Sequence, residues 1–338
     1  MKSSQLALPP GCSAVYVGEG AANVVFELHL PDSITEELRL SLTGKLLRAA
    51  KDSTSAYGPG ELQQCWEDSI KPLFRPEDLV PQRLIRLEES GIVDRLNQIL
   101  ADLEQTQVSD TKPSRRADFF GSRVADQPLA MILDDMRLCP AHPGDLCFEF
   151  KPKWLAPCPS APADASRCRT CARKACKDRK GAETERFCPL DLVHCQTDAD
   201  PQAAAVHVAD SLNADLGLGI DTADPRLARF ADWLCRTDLF TRLRDEQLRR
   251  DPRGPLLATA DDDDFALAMT LRDCACFVRV PVEAERPVEA RLADLDKKNA
   301  RAKLEQWRDM EKKFIDEKWY YSEAGHGRRT NCRLERVL

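Results

Sequence analysis

Between Leu146 and Lys151 apolar and charged residues alternate with the period of a strand, which Pro152 ends. Glu149, Lys151 and Lys153 then share one face until the proline bends the chain. One carboxylate beside two ammonium groups makes a poor core stripe. Two readings are open: a solvated edge strand, or a face whose lysines hold phosphate oxygens while the glutamate fixes a lysine or touches a nucleotide. Gly18-Glu19-Gly20-Ala21-Ala22-Asn23 is a second candidate, because glycine lets backbone N–H groups approach phosphate oxygens closely. No Gly-Lys-Ser/Thr follows it, and a strand follows where a dinucleotide-binding turn would open a helix. An ordinary hairpin turn fits the pattern. So does a hairpin lying over nucleotide phosphates, which requires a cation on a following strand, where Arg48 stands. The third candidate is Cys168-x2-Cys171-x4-Cys176, which with Cys158, Cys188 or His194 could build a tetrahedral zinc site. No second Cys-x2-Cys pair accompanies it, so reduced structural cysteines are the preferred reading.

These residues need elements to carry them. Ala14–Val17 and Val24–Leu28 flank the glycines as two strands of a hairpin, and Lys45–Arg48 reads as another strand. Apolar spacings near three and four predict helices over Glu61–Trp66 and Leu84–Leu103. Trp154–Ser166, rich in Pro, Ala and Ser, reads as an exposed connection. Phe230–Arg250 is expected to be one amphipathic helix, and Met269–Val280 a strand and loop around Arg272-Asp273. Leu292–Tyr320 should begin as a strand end and become a long charged helix. A strand-rich first third before a more helical remainder implies an α+β protein in two lobes, residues 1–133 and 134–338.

With 338 residues, 43% of them hydrophobic, the chain can build a sizeable core. No apolar run is long enough to span a bilayer, and Met1–Gln5 does not begin a signal peptide, so a soluble intracellular protein, nuclear or cytoplasmic, is expected. The net charge of −7 argues against nucleic acid or acidic membranes as partners. The average hides a contrast. Seven of the fourteen residues from Arg167 to Lys180 are Lys or Arg, whereas Asp261–Asp264 is purely acidic and reads as a solvated loop tip. Of the fourteen cysteines, eight fall between Cys139 and Cys195. Without an export signal, reduced thiols are the default.

Taken together and in order, the motifs resemble the inositol-pentakisphosphate 2-kinase family. Gly18–Asn23 is similar to its Gly-Glu-Gly-Ala-Ala-Asn loop, Gly44–Arg48 to the next strand, and Glu149–Lys153 to its Glu-x-Lys-Pro-Lys signature. Cys168–Cys171 through Lys177 resembles its Cys-Arg-Tyr-Cys segment, and Cys188–Leu192 its Cys-Pro-Leu-Asp-Leu block. Arg272-Asp273-Cys274 and Asp294-Leu295-Asp296 follow in the family's order. The resemblance implies a kinase-like fold and transfer of a phosphoryl group from ATP, with Mg2+, to the 2-hydroxyl of inositol pentakisphosphate. Residue by residue, it makes Asp273 the catalytic acceptor of the hydroxyl proton and assigns magnesium to Asp294 and Asp296. Lys151, Lys153, Lys177, Lys298 and Arg116 (Arg115 as its rival) would hold substrate phosphates. ATP would meet Gly18, Glu19, Gly20, Ala21, Ala22, Asn23, Arg48 and Glu149, with Asp134, Asp135 and Met136 at the interlobe hinge.

The chain departs from the family in places. Arg301, Lys303 and Trp307 do not fall in register with the family's contacts after Lys298. No asparagine answers the one expected after the Pro-Leu-Asp block, and the plant members' Cys/His zinc signature is missing. A monomer is expected. Rival readings are an inositol-phosphate-binding pseudokinase, a kinase for another inositol phosphate or hydroxyl, and a zinc-dependent RNA-binding or adaptor protein.

Overall fold

The computed structural model describes residues 6–52, 56–105, 115–137, 141–177, 187–322 and 330–337. The fold is α+β, divided into two compact units. One holds residues 1–72 and 80–135, the other 73–79 and 136–338.

The first unit contains β1 (Ser13–Glu19), β2 (Asn23–His29), α1 (Glu36–Leu42), β3 (Lys45–Ala50), α2 (Pro59–Cys65), β4 (Gln82–Arg86), α3 (Ile92–Gln105) and β5 (Leu129–Asp134). Its five strands form one antiparallel sheet in the order β1-β2-β3-β5-β4. Alternation makes one face of this sheet apolar, and Ile92, Leu96 and Leu100 of α3 recur every fourth residue. They pack with Val24, Phe26, Leu47, Ile85 and Ile132 into a dry core. The helix expected over Leu84–Leu103 is therefore two elements. Leu84–Arg86 belong to β4, where pairing with β5 overrides a spacing that suits either structure.

The second unit contains β6 (Leu146–Phe150), α4 (Arg169–Lys177), α5 (Asp191–His194), α6 (Pro201–Leu216), α7 (Pro225–Leu234), α8 (Leu239–Arg250), α9 (Asp263–Leu271), β7 (Ala275–Val280), β8 (Glu289–Ala293), α10 (Ala300–Asp316) and α11 (Arg333–Val337). β6, β7 and β8 form a three-stranded antiparallel sheet in that order. Phe148 and Phe150 point from β6 into an aromatic cluster with Phe230 and Phe240. Residues 73–79 join this unit, with Leu79 bridged to Leu292 and Asp78 ion-paired to Arg242.

Four more expectations are corrected here. Phe230–Arg250 is two helices, interrupted between Leu234 and Leu239. Asp261–Asp264 is no loop tip: Asp262 caps α9 by accepting from the Phe265 N–H, and Asp263 and Asp264 lie in its first turn, where carboxylates complement the helix dipole. α9 also takes Met269–Leu271, so the strand begins only at Ala275. In the stretch Trp154–Ser166, Trp154 and Cys158 are buried against Ala258, Phe265, Met269 and Leu304 rather than exposed. No helix among the described residues is long and apolar enough to cross a membrane.

Candidate active site

The second unit's small sheet gathers the chemistry. Phe150 at the end of β6 pairs with Cys276, and Ala275 at the start of β7 pairs with Ala293 at the end of β8. Three segments therefore reach the same end of the sheet. The residues at or just beyond it include Lys151, Asp273 and Asp294, which lie more than 100 residues apart in the chain at their extremes.

Asp273 is the hub. Its Oδ1 accepts a hydrogen bond from Lys153 Nζ at 2.8 Å and its Oδ2 one from Lys298 Nζ at 2.9 Å. Lys151 Nζ donates to the Asp273 carbonyl at 3.0 Å and to Asp294 Oδ2 at 2.9 Å. Partial burial would raise the Asp273 carboxyl, but Lys298, Lys153 and Lys151 outweigh it and hold the group far below the usual carboxylate range. Burial lowers Lys153, and the neighbouring charges of Lys151 and Arg173 add to that fall, which Asp273 only partly offsets. For Lys151 the balance reverses: burial works against its charge, yet Asp294 and Asp273 raise it overall.

Two backbone positions here are strained. Lys153 has φ 59° and Asp294 φ 54°, left-handed conformations that cost a non-glycine residue about 1–3 kcal/mol. Gln247, in the last turn of α8 and 1% exposed, holds the first. Its Nε2 donates to the Lys153 carbonyl at 2.9 Å and to the Leu271 carbonyl at 3.3 Å, while its Oε1 accepts from the Leu155 N–H at 3.1 Å. Thr270, fully buried on α9, fixes the backbone from Asp296 to Lys298, just after the second. Its hydroxyl donates to the Asp296 carbonyl and accepts from the Lys298 N–H, both at 3.1 Å. Sequence reasoning missed both residues, since a lone Gln or Thr on a helix carries no signal of what it touches.

These groups line a cavity of about 630 Å³. Among the described residues nine of its lining side chains are Lys or Arg, against two carboxylates, so a polyanion is the ligand its charge suits. Lys151, Lys153, Lys177, Lys298 and Asp273 are all on the wall. So are Arg173 and Lys174 of α4 and Lys303, Gln306 and Trp307 of α10, which the sequence reading had not assigned. Helical spacing could have found them, because Lys303 and Trp307 lie four residues apart on one face. Arg301 turns away and pairs with Asp261. Also on the wall, the Trp154 ring carries the Arg272 guanidinium 3.7 Å from its centroid and that of Arg169 at 4.5 Å. Arg272 is further tied to Asp251, and Arg169 to Glu311.

The residues expected at the nucleotide fall on the first unit, save Glu149 and Met136. Gly18 and Glu19 end β1, and the Gly20 N–H donates to the Asn23 carbonyl at 2.9 Å, closing the turn over Ala21 and Ala22. Neither Gly18 nor Gly20 has positive φ, and a Cβ on either would meet no protein atom within 4 Å. The Glu19 side chain turns inward. Burial would raise its carboxyl, but hydrogen bonds from Arg115 and Lys51 hold it below the usual value. Arg115 is consumed by this pairing and is 3% exposed, whereas Arg116 is exposed and ion-paired to Asp118 at 2.8 Å. The three residues before Arg115, 112–114, lie outside the described residues. Arg48 is buried on β3. Asp134 is ion-paired to Lys45 across the β3–β5 ladder, and the chain passes from the first unit to the second between Asp135 and Met136.

For a metal, Asp294 and Asp273 offer hard carboxylate oxygens on either side of a cationic ammonium, a donor set that fits magnesium. The Asp296 carbonyl is already engaged by Thr270. Apart from these carboxylates, Cys168, Cys171, Cys188 and Cys332 bring their sulfurs within 4.8 Å of one another.

The sequence pattern of the inositol-pentakisphosphate 2-kinase family matches residues 16–215 and 220–313 of this chain. Among curated proteins, an inositol-pentakisphosphate 2-kinase of Yarrowia lipolytica is 30% identical over 190 residues, 55% of this chain and 56% of that protein. One from Candida glabrata is 26% identical over 300 residues, 86% of this chain and 94% of that protein. The first match thus spans a little over half of its relative's length, and the second nearly all.

Proposed function

We propose that this chain, which belongs to the inositol-pentakisphosphate 2-kinase family, transfers the γ-phosphoryl group of ATP to the 2-hydroxyl of inositol 1,3,4,5,6-pentakisphosphate. The product is the hexakisphosphate. The observation that carries this reading is the cavity wall of lysines and arginines closing on a single ionised aspartate. A pentakisphosphate needs many convergent cations, and phosphoryl transfer needs an acceptor beside the attacking oxygen.

In this proposal the ammonium groups of Lys151, Lys153 and Lys298, now spent on Asp273 and Asp294, shift toward substrate phosphates. Lys177 and the newly assigned Arg173, Lys174 and Lys303 complete the cradle. Asp273, ionised at neutral pH, accepts the hydrogen bond of the 2-hydroxyl, orients its lone pair at phosphorus and receives the proton late in transfer. A carboxylate held so far below neutrality is a weak base, so orientation is its larger contribution. Asp294, with Asp296 beside it, would hold magnesium, which when bound neutralises charge on the ATP phosphates.

The two-lobed kinase-like arrangement, residues 1–133 and 134–338, belongs to the same proposal. The Gly18–Asn23 turn and Arg48 would serve ATP phosphates, Glu149 the nucleotide, and Asp134–Met136 the adenine. The turn's contribution comes from its backbone, since the Glu19 carboxylate is already paired. Nothing in the chain itself demands glycine at 18 or 20, which suits close approach of a ligand.

The test is incubation of the pentakisphosphate with magnesium and ATP, products resolved by chromatography, beside Asp273→Ala. Hexakisphosphate from the wild type and none from the variant supports the reaction and the acceptor. Binding of the pentakisphosphate without turnover, over a range of magnesium and pH, would refute catalysis and leave a binding protein.

A further inference from the structure

We infer that Arg115 and Lys51 are positioning residues: they clamp Glu19 and so hold the Gly18–Asn23 turn in the shape that offers its backbone to ATP phosphates. This task rests on the role proposed above for the turn. The Glu19 carboxylate, at the end of β1, is 1% exposed, and both cations beside it are as deeply buried. Arg115 meets it as a fork, Nε donating to Oε1 at 2.7 Å and Nη2 to Oε2 at 3.1 Å. Lys51 pairs with Oε2 at 2.5 Å, and its own N–H donates to the Ala22 carbonyl at 2.8 Å. One residue just beyond β3 therefore holds both ends of the turn. A buried ion cluster of this kind contributes less to stability than to geometry, because the guanidinium fork fits a carboxylate in one orientation.

Arg115 is itself anchored on its far side. Its Nη2 donates to the Ser122 carbonyl at 2.9 Å and hydroxyl at 2.8 Å, and its Nη1 pairs with Glu104. Glu104 stands in the last turn of α3, whose apolar face is packed into the core of the first unit. The clamp thus runs from the turn to a fixed helix. The other side of the turn is open. Among the described residues no protein group accepts from the Ala21 or Ala22 N–H, and none would touch a Cβ at Gly18 or Gly20. A framed turn with donors left over suits phosphate, since groups fixed beforehand need no ordering when the ligand arrives.

Spacing could not separate Arg115 from Arg116, but burial does. Arg116 is exposed, paired to Asp118 and laid over the Phe119 ring at 4.9 Å, with no bond to Glu19. Its segment has other fastenings than Arg115. The Asp52 N–H donates to the Arg123 carbonyl at 2.9 Å, the Arg123 N–H to Asp52 Oδ1 at 3.1 Å, and the Arg123 guanidinium to Glu104. Removing Arg115 therefore frees Glu19 and the turn first. A cluster that only stabilises the first unit is the competing account.

The experiment uses the full chain and compares Arg115→Ala, Arg115→Lys and Arg116→Ala at a temperature where each is folded. Amide exchange over residues 18–23, measured without ligand, should rise in Arg115→Ala and stay at the wild-type level in Arg116→Ala. In Arg115→Ala the KM for ATP should rise by about ten- to a hundredfold, with that for the pentakisphosphate within about twofold of wild type. Arg115→Lys keeps the charge and loses the fork, so it should fall between wild type and Arg115→Ala in both readouts. It carries the test alone if the alanine variant does not fold. Unchanged exchange in the turn would overturn the clamp. Faster exchange with an unchanged KM for ATP, or an equal rise in both KM values, would overturn the link to the nucleotide. A wild type that makes no hexakisphosphate would refute the kinase reading by itself, and the exchange comparison would still decide the clamp.

Discussion

Replacing Gln247 by leucine keeps the volume of the side chain and removes its hydrogen bonds. Two backbone groups, the part-buried Lys153 carbonyl and the buried Leu155 N–H, lose partners at 2.9 and 3.1 Å. Each orphaned group costs about 1–3 kcal/mol, so a total of about 2–6 kcal/mol is expected, the longer bond to Leu271 adding little. For a unit of this size 1 kcal/mol moves the melting temperature by about 2–4 °C, so a fall of about 8–16 °C follows from the middle of that range. Lys153 is also freed from its left-handed backbone, and its ammonium should no longer be held beside Asp273. The KM for the inositol phosphate should then rise severalfold while that for ATP stays put. Thermal melts followed by tryptophan fluorescence, with steady-state kinetics at a temperature where the variant is folded, read both effects. A melting shift under about 2 °C would refute the hydrogen-bond argument. A large shift with unchanged KM would refute the link from Gln247 to the lysine.

Asp273→Asn should lower turnover by about 10²–10⁴-fold while pentakisphosphate binding, by titration calorimetry, is undiminished, because the lysines lose a competing carboxylate. Wild-type levels of product would remove Asp273 from the mechanism. The depressed Asp273 carboxyl contributes stability that is present above its unfolded pKa of about 3.9 and lost as pH falls through its lower folded value. Acid unfolding of the wild type should therefore steepen below that pH relative to Asp273→Asn, and parallel curves would contradict it. Lys303→Ala should weaken the inositol phosphate about tenfold with ATP unaffected, and affinity for the wild type should fall steeply with salt. Gly254→Ala should destabilise by about 2–4 kcal/mol, since Gly254 has φ +79° and an added Cβ would sit 2.8 Å from the Ser160 backbone nitrogen. Urea midpoints within experimental error of wild type would show that the loop yields.

Much of the candidate site was legible in the chain because the residues that line the cavity reside in short contiguous motifs. Glu149–Lys153, Arg272–Cys274 and Asp294–Asp296 each carry their chemistry within five residues, and their order alone suggested a family. Strand periodicity placed Lys151 at the end of β6, and the glycines marked the turn between β1 and β2. Where local pattern was ambiguous, packing decided. Leu84–Arg86 suit a helix by spacing but pair with β5, and Phe230–Arg250 keeps its apolar period across a break between Leu234 and Leu239.

What the sequence by itself determined is therefore the inventory: which cations, which carboxylates, which turns, and in what order. The tertiary structure decided which of them meet. Registering β6, β7 and β8 at one edge brings Lys151, Asp273 and Asp294 together across most of a domain, and burial selects Arg115 for structure while leaving Arg116 at the surface. Gln247 and Thr270 acquire roles only there, because a hydrogen bond joins residues through space. Nothing in one strand of sequence encodes the distance between its remote parts.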